Sequence, residues 1–85
     1  MTIYVLKNLT LKELYFAVCE GDAAAAAQSH KGNDLSPVSH WKWDAEEVKW
    51  GVVGADLPES VAQQFLAALR REPPEDGWVQ VFGGE

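Results

Sequence analysis

The chain has 85 residues, with 7 Lys and Arg against 13 Asp and Glu for a formal net charge of -6, and 47% of its residues are hydrophobic, enough to build one small core. A lone cysteine, Cys19, excludes an internal disulfide and a multi-cysteine zinc site. No apolar run approaches the roughly 20 residues that span a bilayer, and the first residues lack the basic start of a signal peptide. The acidic balance argues against a protein that coats phosphate backbone, so a cytoplasmic, soluble domain is expected.

Thr2 to Leu6 is β-branched and aromatic and ends at Lys7-Asn8, while Leu14 to Cys19 is a second apolar run of strand length. The pair predicts a β-hairpin, although the connection around Asn8 to Lys12 lacks an Asn-Gly turn signal. Gly21-Asp22 supplies a break and an N-cap before the five alanines Ala23 to Ala27, and Lys31-Gly32 closes that segment. A helix over 23–30 follows, thin enough to lie close against a sheet. Asn33 to Pro37 is loop by composition, and Val38 to Glu47 reads as mostly irregular, with a short helix or a strand entering a turn as the alternatives. Val48 to Val53 predicts a third strand.

Asp56-Leu57-Pro58 marks a helix start, with Asp56 as the expected cap and Pro58 in the first turn. The helix from Glu59 to Arg71 places Val61, Ala62, Phe65, Leu66, Ala68 and Leu69 on one predicted apolar face. Pro73-Pro74 ends it, and Trp78 to Phe82 alternates like a last, edge strand. The order β-β-α-loop-β-α-β indicates an α+β domain, a small mixed sheet with helices packed on it. One domain spans 1–85, with 72–85 as an acidic extension. Glu72, Glu75, Asp76 and Glu85 lie there without a base, whereas residues 1–71 hold 9 acids against 7 bases. The body is therefore nearly neutral.

The triplets Thr2-Ile3-Tyr4 and Tyr15-Phe16-Ala17 on consecutive strands, a helix ending in His30-Lys31-Gly32, the Trp-Lys-Trp segment, the strand Val48 to Val53 and the amphipathic helix share an order with a known family. Over about residues 2–71 the chain resembles the GIY-YIG nuclease domain. The resemblance implies that Tyr4 and Tyr15 match the two motif tyrosines that position or activate the attacking water, and that His30 matches the histidine near the end of the first helix. The same resemblance calls for an Arg on the first helix and a metal-holding Glu on the later one. Ala26 stands where the Arg falls, Gln63 and Gln64 stand nearest the Glu, and Thr2 and Ala17 replace motif glycines. A neutral amide is a poor ligand for a hard divalent cation, and phosphodiester cleavage needs charge stabilisation from a metal, an Arg or both.

The reading that follows is a non-catalytic relative of this fold that binds or regulates another macromolecule, protein more than nucleic acid, without a cofactor. Tyr4, Tyr15 and His30 are its catalytic candidates only if it is an active endonuclease, in which case Mg or Mn is the expected metal. His40, Trp41, Lys42 and Trp43 form the candidate binding surface, since aromatics interleaved with a base can stack bases or clasp a peptide. Their plainer role is to close a small core. Tyr4 and Tyr15 also read as ordinary strand aromatics, and His30 as a helix-end dipole contact. Cys19 reads as an inert buried thiol, with a nucleophilic pairing to His30 or His40 as the sharper alternative. Two further readings are an acidic inhibitor that imitates nucleic acid, and a homo-oligomer joined through the 78–82 edge strand.

Overall fold

A computed structural model describes residues 1–44 and 46–81. The elements run β1 (Thr2–Asn8), β2 (Glu13–Cys19), α1 (Ala23–Gln28), β3 (Val48–Gly54), α2 (Glu59–Arg71) and β4 (Val79–Gln80). They build the expected α+β domain around a four-stranded mixed sheet in the order β3-β1-β2-β4. The central strand β1 is antiparallel to both β2 and β3, and β4 adds to β2 in parallel. Of the predicted last strand, Val79 and Gln80 form β4, and Phe82 lies outside the described residues, as does Glu85 of the acidic extension.

The period-two alternation of the hairpin sends its residues to two cores, one on each face of the sheet. Tyr4 and Leu6 of β1 and Tyr15 and Ala17 of β2 pack with Ala23 and Ala27 of α1, Val38 and Trp41. Ile3 points the other way, onto Ala62 and Leu66 of α2, flanked by Phe16, Val18 and Val53. Leu6 and Ile3 are fully buried, and each such side chain stabilises the fold by about 1.5–3 kcal/mol. The alanines of α1 let its backbone approach the sheet, and Asp22 caps it as expected by accepting from the Ala24 N–H at 2.9 Å.

Three expectations are corrected. The first helix ends at Gln28, two residues early, because the chain leaves it through N–H bonds to carbonyls three residues back rather than four: Lys31 to Gln28, Asn33 to His30, Ser36 to Asn33 and Ser39 to Ser36. Asp56 does not cap α2. Its φ of 55° places it in a left-handed turn, and Pro58 occupies the cap position with no side-chain hydrogen bond. The apolar face of α2 is narrower than the six residues expected, since Ala62 and Leu66 are buried and Leu69 half-buried, whereas Val61, Phe65 and Ala68 are exposed. Spacing of four and then three residues makes that seam, and the flanking side chains stay exposed.

The hairpin turn, unreadable from its sequence, is organised by Asn8. This residue is fully buried, and its Oδ1 accepts from the N–H groups of Thr10 at 3.0 Å and Leu11 at 2.9 Å. The turn then closes through Lys12 at a φ of 54°. Thr10 and Leu11 are exposed, so the freed N–H groups reach water and the loss is that of net hydrogen bonds, about 0.5–1.5 kcal/mol each. Asn8→Ala is therefore expected to destabilise the fold by about 1 kcal/mol in a denaturant titration, with no change in the denaturant slope.

Candidate functional site

The site is assembled by a segment with no regular structure. Residues 29–44 follow α1 as a string of turns and fold back over the β1–β2 hairpin. Within it His30 stands half-buried above the two strand tyrosines. Tyr4 Oη lies 2.8 Å from His30 Nε2, and His30 Nδ1 lies 2.6 Å from Ser36 Oγ. Ser36 Oγ in turn accepts the Val38 N–H at 3.2 Å. Both ring nitrogens are thus engaged, and a neutral imidazole satisfies this in either tautomer. With the proton on Nε2 the ring donates to Tyr4 and accepts from Ser36, and with the proton on Nδ1 the polarity reverses.

Aromatic rings close the remaining sides. Tyr15 meets His30 edge-on at 5.6 Å between centroids, and Trp43 lies parallel to it at 6.5 Å with 2° between planes. Trp41 packs on Trp43 at 5.9 Å. Tyr4 and Tyr15 are both buried in this enclosure. Burial pushes the Tyr4 phenol up to about 12, with the charges of Tyr15 and Cys19 adding to it. Burial also raises Tyr15, an effect partly opposed by the Arg70 guanidinium, and lowers His30. The leading cause is the same in all three: the apolar surroundings disfavour the charged form. The cluster is accordingly a set of neutral hydrogen-bonding groups at neutral pH. Cys19 follows suit, because burial and the nearby Asp22 carboxylate push its thiol up, away from the reactive thiolate.

The four residues His40 to Trp43 separate into two pairs. Trp41 is buried and Trp43 half-buried, while His40 and Lys42 are exposed. Glu13 at the start of β2 anchors the segment, its Oε1 accepting from Trp41 Nε1 at 2.8 Å and lying 2.7 Å from His40 Nε2. The Trp41 hydrogen bond, followed by the His40 contact, holds the Glu13 carboxyl below its ordinary value. Trp41 thus belongs to the core with Trp43 packed against it, while His40 and Lys42 lie on the outside.

Gln63 is exposed on α2 and borders a different space, a cleft of about 620 Å³ lined by Tyr15, Ala17, Val18, Ala67 and Arg70. Arg70 Nη2 donates to the Phe16 carbonyl at 3.3 Å. The structure therefore brings Tyr4, Tyr15 and His30 together, as the sequence reading grouped them, and sets Gln63 beside Tyr15 only. It adds two residues that the sequence did not single out. Ser36 carried no signal beyond loop composition, and Arg70 belonged to the polar face of an amphipathic helix. Among the described residues, no three of His, Cys, Asp and Glu converge in a way that could hold a metal ion. No helix among them is long and apolar enough to cross a membrane.

No protein-family model, curated protein or solved structure matches this chain.

The buried phenols and imidazole give a pH signature. The unfolded chain ionises its tyrosines near 10, whereas folded Tyr4 holds its proton to about 12, so the folded state binds more protons and its stability falls as pH rises through that interval. At the acid end the sign reverses. The unfolded His30 takes up a proton near 6.5 while the folded ring resists, so stability falls as pH drops below 6.5. Phenolate absorbance is expected to stay low at pH 10 in the folded protein, both tyrosines being raised, and to reach about half of its full value at that pH in denaturant.

Proposed function

We propose that this chain is a non-catalytic, GIY-YIG-like domain that acts as a macromolecular binding or regulatory module, with protein favoured over nucleic acid as the partner. The observation that carries this reading is the engagement of Tyr4. Its hydroxyl is coupled to His30 inside a ring of Tyr15, Ser36 and Trp43, and burial takes the phenol away from ionisation. A tyrosine that activates water must offer its oxygen to solvent and lose or share its proton near neutral pH. Here the same residue types serve as the interior of a fold.

Charge points the same way. The helix that carries the family's phosphate-stabilising Arg is a run of alanines, and α2 offers the amides Gln63 and Gln64 rather than a carboxylate at the nearest positions. Without a positive group facing the tyrosine pair from α1, the developing charge of an in-line displacement loses a stabilisation worth several kcal/mol, and about 1.4 kcal/mol is a factor of ten in rate. The domain is read as acting in the cytoplasm.

A second reading, an active endonuclease with relocated groups, draws on one observation. Arg70 reaches the cleft beside Tyr15 from α2 and acts on the Tyr15 phenol electrostatically. Plasmid and branched DNA incubated with the protein and magnesium or manganese separate the two. The expected result is no cleavage above the background of a Tyr4→Phe variant. Metal-dependent cleavage that disappears in Tyr4→Phe and in Arg70→Ala establishes the second reading and overturns the first.

A further inference from the structure

We infer that the pocket between the end of α2 and the β2–β4 strand pair receives the guanidinium of an arginine side chain presented by a protein partner. This deepens the proposed binding role and rests on it.

The pocket is formed where the chain folds back on the sheet. α2 stops before Pro73-Pro74, and a turn closed by the Trp78 N–H on the Glu75 carbonyl at 2.9 Å reverses the chain, with Gly77 at a φ of 85°. β4 then runs along β2, tied by the N–H groups of Val79 to the Lys12 carbonyl at 2.9 Å and of Val81 to the Leu14 carbonyl at 2.7 Å. Gln80 pairs with Leu14, and Leu14 with Lys7, so the three share the face of the sheet on which α2 packs. A pocket of about 310 Å³ lies there, walled by Leu14, Phe16, Leu69, Pro74 and Trp78. That volume is at the small end of ligand pockets and suits one side chain.

Two independent observations specify the occupant. Gln80 is only 8% exposed and lines the pocket, and its Oε1 is buried with no hydrogen-bond partner among the described residues. Buried acceptors are nearly always satisfied, so this one calls for a ligand that brings an N–H or O–H donor. The charged residues of the pocket are Glu72, Glu75 and Lys7, all exposed, and none is held in an ion pair with a described residue. Two carboxylates against one ammonium favour a cation.

A guanidinium on an aliphatic stem meets both requirements. It is always charged, carries five N–H donors in one plane, and is more weakly hydrated than an ammonium, so it enters an apolar pocket at lower cost. Its face stacks on an indole, here that of half-buried Trp78, while the stem lies along the leucine and proline walls. A phosphate or carboxylate fails on both counts, since it brings the Gln80 oxygen no donor and meets Glu72 and Glu75 as like charges. The acids that set the extension apart in the sequence thereby gain a local use.

The probe is acetyl-Gly-Arg-Gly-amide, compared with versions carrying Lys or citrulline for Arg and with free arginine, and read by NMR shifts. One side chain is a weak ligand, so the titration runs into the millimolar range. The arginine peptide is expected to shift the Trp78 indole, the Gln80 side-chain amide and the Leu14 and Leu69 methyls, and the lysine and citrulline versions to bind about tenfold more weakly. Gln80→Leu should weaken arginine binding about tenfold while leaving thermal stability equal or higher, because it removes an unpaired buried acceptor. The exposed-site variants act in opposite directions, Glu75→Gln weakening binding and Lys7→Gln strengthening it, and they carry the test should Gln80→Leu fail to fold. Absence of binding, shifts confined to other surfaces, equal binding of the lysine or citrulline peptide, full binding by a folded Gln80→Leu protein, or tighter binding of free arginine than of the peptide overturns the inference. DNA cleavage is scored separately, so a failed peptide test leaves the non-catalytic reading standing, and cleavage alongside peptide binding overturns that reading alone.

Discussion

The hydrogen bond between Tyr4 and His30 is the contact on which the rest of the site depends. It fastens the central strand to a long stretch of chain that has no helix or strand to hold it. From that point Ser36 extends the link to the Val38 backbone, and Val38 and Trp41 fill the core beneath. A second fastening, Glu13 to Trp41, secures the same segment to the start of β2. Turns joined by bonds to the third preceding carbonyl gain little cooperativity, so their stability comes from packing and from these side-chain anchors. The segment owes its shape to the hairpin it covers.

Enclosing polar groups in this way has an electrostatic consequence. A phenol, an imidazole and a serine hydroxyl satisfy one another while uncharged, and the apolar rings around them raise the cost of ionising any one. The arrangement thereby keeps the Tyr4 phenol and the His30 imidazole uncharged at neutral pH. At the periphery β3 ends the sheet and carries the exposed Trp50 and Val52. The domain thus has a closed centre and an accessible rim.

The sequence carried the order of elements because its signals were strong and local. The alternating hairpin, the alanine run after Asp22 and the amphipathic stretch ending at Pro73-Pro74 each obey one periodicity. Three features were out of reach for physical reasons. The hairpin turn is built by a buried Asn8 side chain rather than by a glycine, so no dipeptide marked it. Residues 29–44 form local turns, and their placement over the hairpin depends on side-chain anchors to β1 and β2, which local propensity does not encode. Val61 and Phe65 stay exposed on the apolar side of α2, because periodicity gives direction without depth of burial.

The grouping of Tyr4, Tyr15 and His30 came from the family resemblance, and the structure brings the three side chains together. The inward turn of Trp41 was not legible, since a surface aromatic and a core aromatic look alike until Glu13 is seen to accept its indole N–H. Ser36 and Arg70 were equally silent, one a loop residue and the other a helix-surface base, and both gain meaning from their neighbours. The most direct test of the account is nitrogen NMR of the His30 ring across an acid titration. It predicts a neutral imidazole hydrogen-bonded at both nitrogens, protonating only below its ordinary 6.5, with the Nε2 signal displaced by Tyr4→Phe. A ring that titrates at or above that value, with Nε2 unmoved by Tyr4→Phe, contradicts it.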